Sequence, residues 1–294
     1  MLKFKALTLE DKIIFDKYLK PYKFLTCEYS FTNLFIWRKG CDIQYALYED
    51  LLIIKKIDFK GKSHLMEPLG YKKENLKNLI DFLLIVKEEE KLDFLFKDLE
   101  KPFIDDFLEV FPTGFTVEED RDNFDYIYES SKLIELSGKK LHGKKNHYNN
   151  FVKNNEFTFS SLSPTVIDEC IETAREWCTK NGGKGHLLYE LKGIEELLNN
   201  VGKLDFIGLA VYIDGALSAF TIGERVNENM AIIHIEKADG EINGLYTYIN
   251  KTFIENNFSD VPFINREQDL GKEGLRTAKL SYHPFKLEEK YIIL

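Results

Sequence analysis

The chain has 294 residues, of which 44% are hydrophobic and 30% charged, and these proportions exclude a disordered or low-complexity protein. No apolar run approaches the roughly 18 to 20 residues that cross a bilayer, and the first residues lack the apolar core of a signal peptide. We therefore expect no membrane insertion and a cytoplasmic location. The 4 Cys and 6 His show no metal-ligand spacing, so neither a disulfide framework nor a metal site is predicted.

The charge is unevenly distributed along the chain. The formal net charge is -9, and a uniformly acidic surface would repel nucleic acid. Residues 132–153, which we call the basic segment, hold six Lys and one Glu. A compact basic segment in an acidic chain indicates a surface for an anion such as a phosphate backbone.

The first half of the chain is predicted to contain strands and helices in alternation. In chain order these are a strand at 3–7, helices at 8–19 and 30–37, strands at 42–47, 51–57 and 64–67, a helix at 72–87, a strand at 93–96, a helix at 98–110, and strands at 115–118 and 125–128. The side chains of Thr8 and Ser30 are of the kind that caps a helix N-terminus.

The second half repeats this order. Its predicted elements are a helix at 137–155, a strand at 157–160, helices at 164–177 and 188–199, strands at 206–213, 216–223 and 230–236, a helix at 244–256, a strand at 261–264, a helix at 271–279 and a strand at 285–293. Asp214 and Gly215 form a two-residue hairpin signal, and Asn243 is expected to cap the helix that follows it.

Each half thus holds three antiparallel strands, a loop, an amphipathic helix, a buried strand and a short helix. This repetition predicts a mixed α+β fold built by tandem duplication, in which each half is a mostly antiparallel sheet with flanking helices. We place the boundary at residue 130, so that the two predicted domains are 1–130 and 131–294.

The order strand, hairpin, strand, loop, helix, strand, helix resembles that of the GNAT acyltransferase fold. Specific segments strengthen the resemblance, namely 28–37 (EYSFTNLFIW), 121–128 (RDNFDYIY), 136–151 (LSGKKLHGKKNHYNNF), 265–271 (NREQDLG) and 274–284 (GLRTAKLSYHP). Together they resemble a bacterial family of largely uncharacterised proteins related to the C-terminal catalytic domain of phosphatidylglycerol lysyltransferase. That family has a tandem GNAT fold and is similar to the Fem-type peptidoglycan aminoacyltransferases.

The resemblance implies that an aminoacyl group is transferred from aminoacyl-tRNA to an amine or hydroxyl acceptor, with tRNA as a partner and no cofactor. The chain lacks the transmembrane region that delivers a lipid acceptor in the lysyltransferase, so we expect a small-molecule or peptide acceptor. The first domain is then expected to be structural and the second catalytic.

The basic segment is the first candidate site. On a helical projection Leu141, Tyr148 and Val152 share one apolar stripe, and Lys145 falls within it, where a lysine must either turn outward or reach into a cleft. Lys144, Lys145 and Asn146 are expected to hold the donor phosphates. Lys140 and Asn149 are further expected substrate contacts. The alternative is an ordinary solvated helix that is rich in lysine.

The loop from Glu236 to Leu245 is the second candidate site, and Glu236 is expected to contact substrate. Acetyl-CoA-dependent GNAT proteins have Arg/Gln-x-x-Gly-x-Gly/Ala here, and the backbone amides of this pattern hold a pyrophosphate. If Gly244 takes the last glycine position, Ile242 replaces the middle glycine and Asp239 the basic residue. CoA binding is therefore disfavoured.

Polar residues that follow the predicted strand 261–264 form the third candidate site. Arg266 could hold a phosphate or carboxylate through two hydrogen bonds, and Glu267 or Asp269 could orient an acceptor ammonium or accept its proton. The predicted catalytic residues are Glu267, Asp269 and Tyr282, and further substrate contacts are expected from Arg276 and Lys279. The alternative is a salt-bridged turn.

Three functions remain open from the sequence: an aminoacyltransferase, a CoA-dependent N-acyltransferase with a degenerate loop, and a non-catalytic module that binds RNA or another ligand. An aminoacyl ester is already activated, so the first needs alignment and an oxyanion site rather than a covalent nucleophile. His64, His186 and His234 are expected to be structural.

Overall fold

A computed structural model describes residues 2–294, which form two compact units. The N-terminal unit contains the residues up to Phe124 together with Glu288–Leu294, and the C-terminal unit is Asp125–Leu287. This division differs from the predicted domains 1–130 and 131–294 in two places, at the boundary between the units and at the C-terminal residues. The strand that begins at Asp125 pairs within the C-terminal sheet, and the last strand of the chain pairs within the N-terminal sheet.

The strands in chain order are β1 (Lys5–Ala6), β2 (Gln44–Tyr48), β3 (Leu51–Ile57), β4 (Ser63–Leu65), β5 (Phe96–Leu99), β6 (Val117–Glu119), β7 (Asp125–Glu129), β8 (Phe157–Ser161), β9 (Phe206–Ile213), β10 (Ala216–Arg225), β11 (Met230–Ala238), β12 (Phe263–Asn265), β13 (Lys286–Glu288) and β14 (Tyr291–Ile293). The helices are α1 (Lys12–Leu19), α2 (Phe31–Trp37), α3 (Leu76–Glu90), α4 (Lys101–Val110), α5 (Ser130–Glu135), α6 (His142–Asn154), α7 (Ile167–Lys180), α8 (His186–Leu198), α9 (Leu245–Asn257) and α10 (Glu273–Leu280).

Each unit is built on one sheet of seven strands among the described residues. The N-terminal sheet has the order β1-β2-β3-β4-β5-β14-β6, and the C-terminal sheet has the order β13-β7-β12-β11-β10-β9-β8. In each, a parallel pair interrupts the antiparallel ladder: β4 with β5 in the first and β11 with β12 in the second. The predicted α+β fold with two mostly antiparallel sheets is confirmed.

The core of the C-terminal unit forms where α9 packs on the sheet. Side chains of α9 such as Ile249 and Phe253 are fully buried among strand residues such as Tyr126 and Val211. Phe151 of α6 is also fully buried in this core, and its ring lies 4.6 Å from that of Tyr248 in α9. Burying these aromatic rings supplies much of the stability that holds α6 in place.

Predicted boundaries fail where turn chemistry overrides the apolar pattern. The buried strand predicted at 93–96 is β5 at Phe96–Leu99. Glu100, which directly follows it, is the N-cap of α4, and α4 carries Pro in its first turn. The helix α5 was not predicted. The single strand expected at 285–293 is two strands, which pair in different sheets.

Two capping predictions are confirmed and one is wrong. Thr8 forms a capping box with Asp11, and the Ser30 side chain accepts a hydrogen bond from the Asn33 amide at 3.1 Å. Asn243, however, does not cap α9. The N-cap is Gly244, with φ at 89°, and the Asn243 side chain hydrogen-bonds elsewhere. Among residues 2–294, no helix is both long and apolar enough to cross a membrane.

Candidate active site

The parallel pair of the C-terminal sheet opens at its carboxyl end. The ladder runs from Met230 opposite Phe263 to Ile232 opposite Asn265, and β12 then ends while β11 continues. Glu236 of β11 and Arg266, the first residue after β12, lie on either side of the opening. Arg266 Nη2 donates to Glu236 Oε1 at 3.0 Å, so an ion pair joins the two diverging strands.

A β-bulge at His234 turns Glu236 towards α9. The partners in β10 change from Ile222 opposite Ile235 to Gly223 opposite Ile233, which leaves His234 without a residue opposite it. An inserted residue reverses the alternation of side chains beyond it. Ile233 therefore faces the core under α9, and Glu236 faces the same helix, whose Asn250 Nδ2 donates to Glu236 Oε2 at 2.9 Å.

Lys144 of α6 is a second cation beside Arg266 at the opening between β11 and β12. Its Nζ lies 4.1 Å from the centre of the Tyr282 ring, and Arg266 Cζ lies 4.7 Å from the same centre. Burial, together with the charge of Arg266, lowers the pKa of Lys144 below its usual value. We call Lys144, Arg266, Tyr282 and Glu236 the cationic cluster. It holds two cations and one carboxylate.

The inward lysine is Lys144, and the prediction that Lys145 lies within the apolar stripe is wrong. Lys145 is exposed, and Val152, assigned to the same stripe, is 40% exposed. The face of α6 that packs inward carries Lys144, Tyr148 and Phe151. The packing of Tyr148 and Phe151 against the Tyr248 ring of α9 sets this rotation, which an idealised helical projection of the segment does not reproduce.

Arg266 has one nitrogen available for a ligand. Its Nη1 is buried, and among residues 2–294 it has no hydrogen-bond partner. Its guanidinium also lies 5.8 Å from the Tyr128 ring, and the Tyr282 hydroxyl, 3.3 Å from Thr247 Oγ1, stays protonated because burial raises its pKa. A buried donor without a partner costs about 1 to 3 kcal/mol, and an anionic or carbonyl oxygen bound there would recover that cost.

Asp269 is a structural anchor of the loop after β12. It is fully buried and accepts hydrogen bonds from Tyr126 Oη at 2.6 Å, from Arg276 Nε and Nη2 at 2.8 and 2.9 Å, and from the Gly271 amide at 2.8 Å. Although burial opposes ionisation, these donors lower the pKa of Asp269 to about 2. Such a carboxylate is a poor proton acceptor, so the predicted catalytic role of Asp269 and the substrate role of Arg276 do not fit their surroundings.

Glu267 and Lys279 also hold the loop. Glu267 Oε1 lies 2.8 Å from His234 Nδ1, and Glu224 Oε1 lies 3.1 Å from His234 Nε2. Lys279 Nζ donates to the backbone carbonyls of Arg266 and Glu267. The carboxylate of Glu267 is thus already engaged by the imidazole, and Lys279 supports the backbone that presents Arg266.

The remaining predicted residues are spread over the outer face of the basic segment. Lys140, Lys145, Asn146 and Asn149 are all exposed, and Asn146 hydrogen-bonds the exposed His142 on its own helix. They line no enclosed site, although an exposed face of this kind remains open to a phosphate backbone. Sequence reasoning missed Asn250. Its only signal was that a polar amide stands on the face of α9 whose other residues are buried in the core.

The loop before α9 is closed by α6. A Cβ on Gly244 would lie 2.1 Å from the His147 carbonyl oxygen, so the glycine at this position permits close packing of α6 on the N-terminus of α9. Asn243 Oδ1 accepts a hydrogen bond from His147 Nδ1 at 2.8 Å. Asp239, the residue that replaces the basic residue of the CoA pattern, faces Lys180 at 3.6 Å. The sequence features that bind pyrophosphate in GNAT proteins are therefore absent from the described loop.

The fold and its opened parallel pair define the class: the chain consists of tandem GNAT-like units. It belongs to the family described as phosphatidylglycerol lysyltransferase, C-terminal, whose profile matches residues 19–294. The chain is therefore homologous to a family of transferases.

Solved structures agree with this assignment. A conserved protein of unknown function from Bacteroides thetaiotaomicron is 33% identical, with a TM-score of 0.91, and the match covers 100% of this chain and 99% of that one. L-PGS from Bacillus licheniformis is 16% identical with a TM-score of 0.65 over 96% and 91% of the two chains. FemX is 12% identical with a TM-score of 0.63 over 100% and 98%. The last two show likeness of fold alone.

Proposed function

We propose that the protein transfers an aminoacyl group from aminoacyl-tRNA to an amine or hydroxyl acceptor, with the cationic cluster as its active site. The observation that carries the proposal is the convergence of Lys144 and Arg266 on Tyr282, with Arg266 Nη1 buried and unpaired among the described residues. Preorganised donors of this kind stabilise the negative charge that develops on a carbonyl oxygen during acyl transfer.

The reaction needs no covalent intermediate. The acceptor nitrogen or oxygen attacks the carbonyl carbon of the aminoacyl ester, and the carbon–oxygen bond to the terminal ribose then breaks. An ammonium acceptor first releases one proton to solvent, because only the neutral amine can attack. During transfer the neutral amine or hydroxyl loses one proton, and the leaving ribose oxygen gains one. Lys144, whose pKa is lowered by burial and by Arg266, is a stronger acid than an exposed lysine, so it is suited to protonate the leaving oxygen.

Glu236 is the group best placed to orient the acceptor. Its two carboxylate oxygens are held by Arg266 and Asn250, and a fixed carboxylate can direct an incoming ammonium group. This role replaces the one predicted for Glu267 and Asp269, since both of those carboxylates are engaged in holding the loop. A small molecule or a peptide remains the proposed acceptor.

The closed loop before α9 supports aminoacyl-tRNA over acyl-CoA as the donor. A pyrophosphate on the N-terminus of α9 would have to take the place of the His147 carbonyl that packs against Gly244. The exposed face of the basic segment, with Lys140 and Lys145, is by contrast available to the phosphates of an RNA chain.

Two neighbouring lysines provide the test. Lys144→Met and Lys145→Met remove the same charge one position apart, but only Lys144 contacts the Tyr282 ring. In single-turnover assays with pools of charged tRNA and amine acceptors, Lys144→Met should slow aminoacyl transfer by about 100-fold or more, as loss of a general acid does. Lys145→Met should keep the rate constant and weaken tRNA binding by severalfold at most.

The same assays separate the rival functions. If the unmodified protein transfers no aminoacyl group above background while it binds tRNA, it is a binding module and the proposal fails. If isothermal titration shows micromolar binding of acetyl-CoA, the donor is wrong and CoA-dependent acyl transfer is favoured. Equal rates for Lys144→Met and Lys145→Met would show that the cationic cluster is not the active site.

A further inference from the structure

The N-terminal unit has its own cavity at the corresponding place in its sheet. Glu67 lies two residues beyond β4, and Glu100 directly follows β5, so both lie at the carboxyl end of the parallel pair. A cavity of about 340 Å³ there is lined by both carboxylates and by Tyr22, Phe24 and Tyr71. At the carboxyl end of its parallel strand pair the C-terminal unit has two cations, whereas the N-terminal unit has acidic side chains and aromatic rings.

Glu67 is the unusual residue of this cavity. It is 5% exposed, and among residues 2–294 its carboxylate has neither a hydrogen-bond donor nor a cation. Burial raises the pKa of Glu67 well above its usual value, and the charges of Glu100 and Asp106 raise it further. A buried acid without a partner is costly unless it is protonated or meets a cation.

The other charged groups around the cavity have partners. Glu100 Oε1 accepts hydrogen bonds from the Leu25 and Thr26 amides, both at 2.8 Å. Asp106 accepts one from the Tyr71 hydroxyl at 3.0 Å and pairs with Lys73 Nζ at 3.0 Å. Lys73 also pairs with Glu109 at 2.6 Å.

Lys23 lines the cavity as well, but it is exposed, so solvent screens its charge. Neither lysine of the lining neutralises Glu67.

The aromatic lining adds a second preference for a cation. Tyr22 stacks on Phe24 at 5.2 Å, and Phe24 stacks in turn on Tyr29 at 4.0 Å, so the ring faces left for a ligand are those of Tyr22 and Tyr71. The Tyr71 ring lies at a right angle to that of Phe103, with the ring centres 5.2 Å apart. The faces of such rings attract ammonium groups, and their area accommodates an alkyl chain. A hydrated metal ion would gain little from aromatic walls, since its preferred ligands are several oxygen atoms.

We propose that this cavity binds a small organic ammonium ion, with the ammonium group on Glu67 and the alkyl chain against the aromatic rings. The site is separate from the cationic cluster and does not depend on the transfer reaction. The ligand class is a primary alkylamine cation, whether it is a free amine or the side chain of an amino acid.

The test uses the full chain and n-butylammonium as the probe, with n-butanol as the neutral probe of similar shape. Isothermal titration should detect the amine and not the alcohol. Glu67→Gln should weaken amine binding by roughly 10- to 100-fold, the value of a charge-assisted hydrogen bond. Glu89→Gln removes an exposed acid of the same unit and should leave the affinity unchanged.

Glu67→Gln should fold at least as stably as the parent, because it removes a buried carboxylate that lacks a partner, so lost binding would not reflect unfolding. Equal binding of the alcohol and the amine would overturn the proposal, as would amine binding that Glu67→Gln leaves intact. Tight binding of Ca²⁺ that is lost in Glu67→Gln would also overturn it, since the cavity would then be a metal site.

Discussion

Both ring nitrogens of His234 lie against carboxylate oxygens, Nδ1 at 2.8 Å from Glu267 and Nε2 at 3.1 Å from Glu224. Ionised carboxylates only accept hydrogen bonds, so both nitrogens must carry protons and the ring must be an imidazolium. Although burial opposes the charge, the two acids raise the pKa of His234 to about 9. His234→Gln removes this cation and leaves two facing carboxylates.

The size and sign of the effect follow from the pKa. A histidine with a pKa of 6.5 when unfolded and about 9 when folded contributes stability that is fully present below pH 6.5 and is lost as the pH rises through 9. At about 1.4 kcal/mol for each pH unit the full contribution is about 3 kcal/mol. Between pH 7 and pH 10 we expect the unmodified protein to lose about 2.5 kcal/mol that His234→Gln does not lose.

The assay is urea unfolding followed by tryptophan fluorescence. The chain has 2 Trp, at positions 37 and 177, so in a Trp37→Phe background Trp177 of α7 reports on the C-terminal unit alone. His142→Gln, which removes an exposed histidine, is the control and should follow the parent. If the parent and His234→Gln lose the same free energy of unfolding between pH 7 and pH 10, His234 is not protonated in the fold and the reasoning is refuted.

Two further substitutions test how the site is built. In the same urea titration, Gly244→Ala should destabilise the C-terminal unit by about 3 kcal/mol or more, since its Cβ would meet the His147 carbonyl oxygen at 2.1 Å and its φ is +89°. The control is Gly240→Ala, whose Cβ meets nothing within 4 Å, and it should cost under about 1 kcal/mol. Asp269→Asn should cost about 2 to 3 kcal/mol at pH 7 by unpairing Arg276. Because the pKa of Asp269 is lowered to about 2, that difference should shrink as the pH falls from 4 towards 2, and a constant difference would contradict the assigned ion pair.

Much of the fold could be predicted from the sequence, because the spacing of apolar residues and the positions of turn residues indicate the same elements along most of the chain. Asp214 and Gly215 join β9 to β10, and Ser30 caps α2, as their local chemistry predicts. The pairing of β14 could not be predicted in this way. Its apolar residues suit either sheet, and only tertiary packing selects β5 and β6 as its neighbours.

The candidate site was predicted in part. Arg266 directly follows the buried strand β12, and Glu236 lies near the end of β11, so each is a polar residue with a local signal. The inward rotation of Lys144 depends on how Tyr148 and Phe151 pack against α9, and no projection of α6 alone contains that information. The anchoring of Asp269 depends on Tyr126, more than a hundred residues away in the sequence.

The strand β14 has a consequence for the order in which the chain can fold. It is an interior strand of the N-terminal sheet, between β5 and β6, yet it is synthesised after the whole C-terminal unit. A ribosome that has released residues up to Phe124 has delivered an incomplete sheet, whose β5 edge stays open to unwanted pairing until Tyr291–Ile293 emerges. Loss of a few residues at the far end of the chain would therefore damage the unit that is made first.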